Sequence, residues 1–333
     1  MTRATGIGSW PGTDVVDTMR TTFGELGEPP HLPYLPELPA RGPGADALGR
    51  TAGLLVDLPV DLQPSGWRLV ERPGRDLSRT RAWMRQDLDV LAEVADGYEG
   101  DLKVQVVGPW TLAAGVWLPR LERAVVDSGA CRDLIDSLGE GVVAHVTEVR
   151  RLVPGARVVV QLDEPSLIAV LTGSLPTASG FGRLRAVEES VVVDGLRAVL
   201  DRARDAGAAS TALHCCAADV PVEALAKAGT DAISVDVALL GVPGWEAVAA
   251  AVEAGVALWA GAVPALGTPP NAAAVADAVW LPWQRLGLDR ASAADVVVTP
   301  TCGLAGASSP AAARTVLTRT REAAAILTER ALE

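Results

Sequence analysis

Short runs rich in β-branched and apolar residues recur along the chain, and longer stretches with apolar spacing of three and four lie between them. This alternation constrains the fold more than any other feature. Parallel strands need crossover connections of a dozen or more residues, most simply helices, so the pattern points to βαβ units and away from an all-β or bundle fold. The strand-like runs fall at residues 4–8, 102–107, 157–162, 210–213, 232–235, 256–262 and 295–299. An eighth is placed near 53–61, where LLVDLPVDL also fits a helix end. Helical patterns occupy residues 79–94, 132–152, 187–206, 272–286 and 311–332. Roughly eight strands with interleaved helices predict an α/β chain folded as a (β/α)8 TIM barrel, with a doubly wound open sheet as the alternative topology. At 333 residues the chain has the length of one such barrel, so residues 1–333 are expected to form a single domain. No GxGxxG follows the first strand and no Walker phosphate loop occurs, which weighs against nucleotide-binding sheets.

Apolar residues make up 49% of the chain and charged residues 21%, enough to build a sizeable core. The start, MTRATGIGSWPG, lacks a cationic stretch followed by an apolar run, and no later segment offers some twenty unbroken apolar residues, so a soluble, cytoplasmic protein is expected. A net charge of −12 without a basic run sets aside nucleic acid and anionic membranes as partners. Four cysteines (Cys131, Cys215, Cys216, Cys302) are too few to staple a chain of this size, which leaves metal binding or packing for them. Cys131 opens an amphipathic stretch and reads as a semi-buried thiol without a role. Residues 28–44, EPPHLPYLPELPARGPG, are the most irregular part of the chain. They read either as a surface loop over one barrel end or as a lid contributing to a substrate pocket.

The chemistry gathers at strand ends. STALHCCAAD places His214, Cys215 and Cys216 where a strand meets its C-terminal loop, the end at which barrel active sites are built. Extended backbone sends residues i and i+2 to the same side, so His214 and Cys216 can reach one ion. VVVTPTCGLAG brings Cys302 just past the last strand, and DAISVD ends in Asp236. Two thiolates, an imidazole and a carboxylate suit Zn²⁺ better than Mg²⁺ or Ca²⁺, and a Cys2His set with one replaceable position is a catalytic pattern. Asp236 stands as a weak ligand, as a carboxylate supporting the ligands, or as a polar strand end. QLDEP carries Asp163 and Glu164 to another strand end, where they can bind an ammonium group, act as a base, or cap a helix before Pro165. In Ile7, Gly8 and Ser9 of the first strand, Gly8 permits close backbone approach and Ser9 offers a donor to a carboxylate.

These pieces, together with GPWTL at residues 108–112, resemble in kind and in order the C-terminal catalytic barrel of the cobalamin-independent methionine synthase family. The resemblance covers nearly the whole chain and implies a zinc-dependent methyltransferase that moves a methyl group to the thiol of homocysteine to form methionine. It implies zinc on His214, Cys216, Asp236 and Cys302, with Asp236 replacing the family's Glu, and the amino acid held by the Ile7–Gly8–Ser9 stretch and by Asp163. Full-length members carry a further N-terminal barrel, so the chain is similar to the short, core-only form.

Three departures touch the methyl donor. The family's folate-site Glu falls on Ala169, its folate-site Trp falls near Gly115 with Trp117 the nearest substitute, and its proton-donating His lies in a segment that here reads GVALWAGAVPALG. The only histidines are His31, His145 and His214, so no catalytic acid is assigned, and His31 is the one candidate outside the metal set. An N-methyl tertiary amine leaves poorly unless its nitrogen is protonated, whereas methylcobalamin needs no such proton. A corrinoid protein therefore stands beside methyl-folate as donor. Alkyl transfer to another small thiol, and a barrel that binds zinc or a metabolite without turnover, remain as alternatives.

Overall fold

The computed structural model describes residues 1–119 and 122–333. Its strands are β1 (Arg3–Ala4), β2 (Val60–Gln63), β3 (Gly66–Leu69), β4 (Gly100–Val107), β5 (Ala156–Asp163), β6 (Ser210–Cys215), β7 (Ala232–Asp236), β8 (Ala257–Val263) and β9 (Val297–Pro300). Seven of them form one all-parallel sheet in the order β1-β9-β8-β7-β6-β5-β4. Helices on its outer side include Arg75–Val94, Ser128–Leu152, Glu189–Asp205, Ala272–Arg285 and Pro310–Leu332. Each sits where apolar spacing of three and four predicts it. Local chemistry starts them: Asp127 accepts hydrogen bonds from the backbone N–H groups of Gly129 and Ala130, and Ser309 accepts one from Ala312 ahead of Pro310. Among the described residues no helix is long and apolar enough to cross a membrane.

The sheet curls until β1 and β4 face each other across one gap, and residues 32–37 of the Pro-rich segment fill it. On one side Leu32 donates to the Ala4 carbonyl (2.9 Å) and Glu37 to that of Gly8 (3.1 Å); on the other Leu35 donates to Lys103 (2.9 Å) and Lys103 to Pro33 (2.9 Å). This stretch is the missing barrel strand. It is buried, with Leu32 and Tyr34 both 0% exposed, so it belongs to the wall rather than to a surface loop or a lid. Pro33 and Pro36 have no N–H to give and thin out the ladder. The expected strand near 53–61 is not in the barrel. There the chain forms the helix Ala47–Leu54 and enters the separate antiparallel hairpin β2–β3.

Period-two alternation sorts the strand residues into two environments. Leu32, Val159, Ala212, Ala232, Trp259 and Val297 pack together as the apolar floor of the barrel interior. Leu213, Cys215, Ile233, Val235, Leu258 and Ala260, each one residue off that phase, belong to the larger core beneath the helices. Two residues on from the floor come Gln161, His214 and Ser234, and beyond these Asp163, Cys216 and Asp236. The interior therefore turns from apolar to polar toward the C-terminal ends of the strands.

Candidate active site

His214 is buried near the end of β6, level with Asp163 on β5. Its Nδ1–H donates to Asp163 Oδ1 at 2.8 Å, which fixes the tautomer and leaves a lone pair on Nε2. Nε2 is itself buried and has no hydrogen-bond partner among the described residues. Two residues on, Cys216 Sγ lies 3.1 Å from Cys302 Sγ. One thiol donates to the other, so the Cys302 thiol is pulled down to about 6 by the Cys216 S–H, while Cys216 is raised well above the usual thiol range. Two thiolates on a tetrahedral zinc, each at about 2.3 Å, sit about 3.8 Å apart, so a small outward rotation opens the pair to an ion. Cys215 points the other way, 0% exposed in the outer core, where burial pushes its thiol up to about 11. Cys131 is likewise buried in a helix, its Sγ 3.6 Å from the Ala124 carbonyl.

Asp236 ends β7 at the same level, but one carboxylate oxygen accepts the Ala238 N–H (2.9 Å) and caps the turn Val237–Leu239. Burial raises its carboxyl group. Among the described residues no three or more His, Cys, Asp or Glu side chains already stand close enough together to hold an ion. The site brings His214 to Asp163 and Cys216 to Cys302, and Asp236 is instead engaged as a turn cap.

Ser9 is stitched to the cysteine loop. Its carbonyl accepts from Leu304 N–H (2.8 Å) and its Oγ from Ala305 N–H (3.3 Å), and a Cβ on Gly303 would run into that oxygen. Gly8 packs flat on Gln105, whose side chain a Cβ would approach to 2.9 Å. The Ile7 carbonyl points inward and accepts two hydrogen bonds, from Lys103 Nζ (2.7 Å) and Gln161 Nε2 (2.9 Å).

Glu164 does not face the mouth. Its carboxylate accepts the backbone N–H groups of Trp110 (2.9 Å) and Thr111 (2.7 Å) and the Thr111 hydroxyl (2.7 Å), so it caps the helix Pro109–Gly115 instead of waiting for an ammonium group. Burial lifts its carboxyl group to about 7. A folded-state value above the ordinary one of 4.5 means the native state keeps a proton that the unfolded chain releases, so this group's contribution to stability declines as pH rises from about 4.5 to 7. Glu164→Gln turns an amide NH2 toward those donors and removes that slope. Urea unfolding at pH 7 is expected to show a loss of about 1–3 kcal/mol with weaker pH dependence below 7. Unchanged stability would return Glu164 to the list of free site carboxylates.

The remaining histidines lie elsewhere. His31 stands at the start of the closing strand, close enough to Arg3 and Arg321 that both add to the effect of burial in lowering its pKa, at the opposite end of the strand from Glu37. His145 is buried in the helix Ser128–Leu152, where burial lowers it to about 4. Trp117 is paired through its backbone with Trp67 and Leu69 of the hairpin, and the Arg123 guanidinium lies 4.9 Å from its ring centre.

Sequence reasoning missed a carboxylate that the closing strand carries inward. Glu37 is buried, takes a hydrogen bond from Gln105 Nε2 (3.2 Å), lies 4.0 Å from Arg50 Nε, and is raised by burial to about 7, with Asp163 close enough to add to the effect. Arg50 is anchored by Asp87, which also receives a two-pronged contact from Arg41 (2.7 and 2.8 Å). Lys103, Gln105 and Gln161 were missed too. Their signal was present, since a polar residue at every second position of an otherwise apolar strand marks a polar barrel interior.

The strand ends of one parallel barrel thus carry a carboxylate-oriented imidazole and a close thiol pair, the class of site at which barrel enzymes place their chemistry. More specifically, residues 1–326 match the profile of the cobalamin-independent synthase catalytic domain, and the chain belongs to that family. It is thus a methyltransferase of the methionine synthase type. Among solved structures, a methyltransferase from Methanosarcina mazei is similar with a TM-score of 0.50 at 15% identity, covering 98% of this chain and 94% of that one. A B12-independent methionine synthase from Shewanella sp. W3-18-1, in complex with selenomethionine, gives a TM-score of 0.49 at 17% identity over 74% of this chain and 67% of that one. No curated protein sequence matches the chain.

Proposed function

We propose that residues 1–333 act as one catalytic unit that transfers a methyl group to the thiol of homocysteine, forming methionine, with zinc held by His214, Cys216, Cys302 and Asp236. The observation that carries this reading is the buried, unpartnered Nε2 of His214 in the same barrel mouth as the Cys216–Cys302 thiol pair. An imidazole nitrogen with a free lone pair, shielded from water, is costly unless something binds it. Zinc bound there would lower the pKa of an incoming thiol enough to expose its thiolate near neutral pH.

The chain's own groups do the rest. Asp163 holds the His214 ring and, with Glu37, offers negative charge to the acceptor's ammonium group. The Ser9 hydroxyl offers a hydrogen bond to its carboxylate. The apolar floor under the polar layer excludes water from the reacting sulfur. In this reading the donor is a methyl group that leaves without a proton, as in methylcobalamin carried by a corrinoid protein. The reason is that His31 and His145 both lie away from the mouth, and His214 already serves Asp163.

The test is to incubate zinc-loaded protein and homocysteine with either methylcobalamin or methyl-folate and to assay methionine by mass spectrometry. Methionine from methylcobalamin is expected. Product from methyl-folate alone would reverse the donor assignment, and product from neither would favour another acceptor or a binding role. Asp236→Glu, which lengthens the carboxylate by one methylene, is expected to keep one equivalent of zinc by elemental analysis. Complete loss would remove Asp236 from the ligand set.

A further inference from the structure

Beside His214 the barrel interior holds a further polar group, the hydroxyl of Ser234. Ser234 is level with His214 in the β6–β7 register and with Trp259 in the β7–β8 register. Its neighbours on β7 fix which way it points. Ile233 and Val235 belong to the core beneath the helices, whereas Ala232, two residues back, lies in the barrel floor. Ser234 therefore faces inward next to the His214 ring, on strands about 4.8 Å apart. It is 1% exposed, and its Oγ has no hydrogen-bond partner among the described residues.

A hydroxyl that is both buried and unpaired destabilises a fold, because it gives up its hydrogen bonds to water and gains none in return. Alanine would fill the same inward position without that loss. Two other buried, inward-facing atoms, His214 Nε2 and Gln161 Oε1, are unpaired in the same way among the described residues, so the polar layer as a whole is short of a partner.

The place of β7 in the wall decides which end of the acceptor meets Ser234. The head group is assigned to Ser9 beyond β1, to Glu37 on the closing strand and to Asp163 on β5. Strand order puts β7 across the barrel from the closing strand, between β6 and β8. The far end of a homocysteine held at that head group is its sulfur. A thiolate is a charged acceptor, for which an O–H donor makes a stronger bond than it does to a neutral group, whereas a thioether sulfur accepts only weakly.

We infer that Ser234 is a binding residue for the sulfur of the acceptor, its hydroxyl donating a hydrogen bond to the thiolate from the wall opposite the closing strand. The inference rests on the homocysteine reading. Ser234 thereby favours the thiolate that reacts over the thioether that forms.

The test is Ser234→Ala, which removes the hydroxyl and none of the hydrogen bonds described around Ile7, Ser9 and Asp163. Calorimetric titration of the zinc-loaded protein compares homocysteine with methionine, the latter also by competition against homocysteine. The two share one head group and differ at the sulfur, so a disturbance of the head-group contacts acts on both alike. Ser234→Ala is expected to weaken homocysteine about tenfold and methionine by less than about threefold. Stoichiometric zinc should be kept, and the thermal unfolding midpoint without amino acid should lie at or above that of the wild type, because the unpaired hydroxyl is gone. Equal weakening of both amino acids would overturn the inference. Loss of zinc or a lower unfolding midpoint would make Ser234 a structural residue and overturn it as well. A zinc-loaded wild type that does not bind homocysteine would overturn the homocysteine reading and this inference together. Homocysteine binding that Ser234→Ala leaves unchanged, as for a hydroxyl that only holds a buried water, would overturn this inference alone.

Discussion

Cys302→Ala is expected to release most of the zinc from the protein without unfolding it. Cys302 lies half-buried in the loop after β9, and among the described residues its thiol has the Cys216 Sγ as its one side-chain hydrogen-bonding partner. Its loss therefore costs little core packing. The metal loses a great deal more. If a four-ligand zinc site is worth about 10–16 kcal/mol, one ligand carries about 2.5–4 kcal/mol, which is roughly a 10²- to 10³-fold fall in affinity. Elemental analysis after dialysis should find well under one zinc per chain, with a thermal unfolding curve close to that of the wild type. Stoichiometric zinc in Cys302→Ala would sink the ligand assignment.

Asp163→Asn is expected to cripple both halves of the site at once. The Asp163 Oδ1 atom accepts from His214 Nδ1 and from Gln161 Nε2, so one carboxylate sets the imidazole tautomer and holds the Gln161 amide. An amide can keep one acceptor oxygen but carries no charge, so the ring becomes a poorer ligand and the ammonium group loses a counter-ion. Neutralising one partner of a buried, hydrogen-bonded charge pair costs about 2–5 kcal/mol, so kcat/KM for homocysteine should fall by between roughly 30-fold and several thousand-fold. Metal affinity should fall by about 10- to 100-fold. Steady-state kinetics paired with a competitive zinc titration would separate the two. Normal kcat/KM in Asp163→Asn would leave the carboxylate no part in acceptor binding.

What could be read in the sequence follows the periodicities. Seven barrel strands and the long helices were legible because their patterns are strong and local, and the position of His214, Cys216 and Cys302 at or just past strand ends was legible for the same reason. The closing strand was hidden by its own prolines. Pro33 and Pro36 abolish the usual strand signal, yet the chain accepts them because the remaining N–H groups suffice to bridge β1 and β4. Glu37 was lost with that strand. Glu164 was misassigned because its partner is the helix that begins at Pro109, far away in sequence, and strand-end position alone does not tell a ligand from a cap. Lys103 lies in a run whose alternate polar residues mark a polar interior, but its meaning depends on carboxylates brought in from two other strands.

The account stands on thiol activation at the barrel mouth, and the sulfur environment of zinc tests it most directly. X-ray absorption at the zinc edge, recorded on zinc-loaded protein with and without homocysteine, should find two sulfur neighbours without the amino acid, from Cys216 and Cys302, and three with it. A sulfur count that stays at two when homocysteine is bound would contradict the central claim.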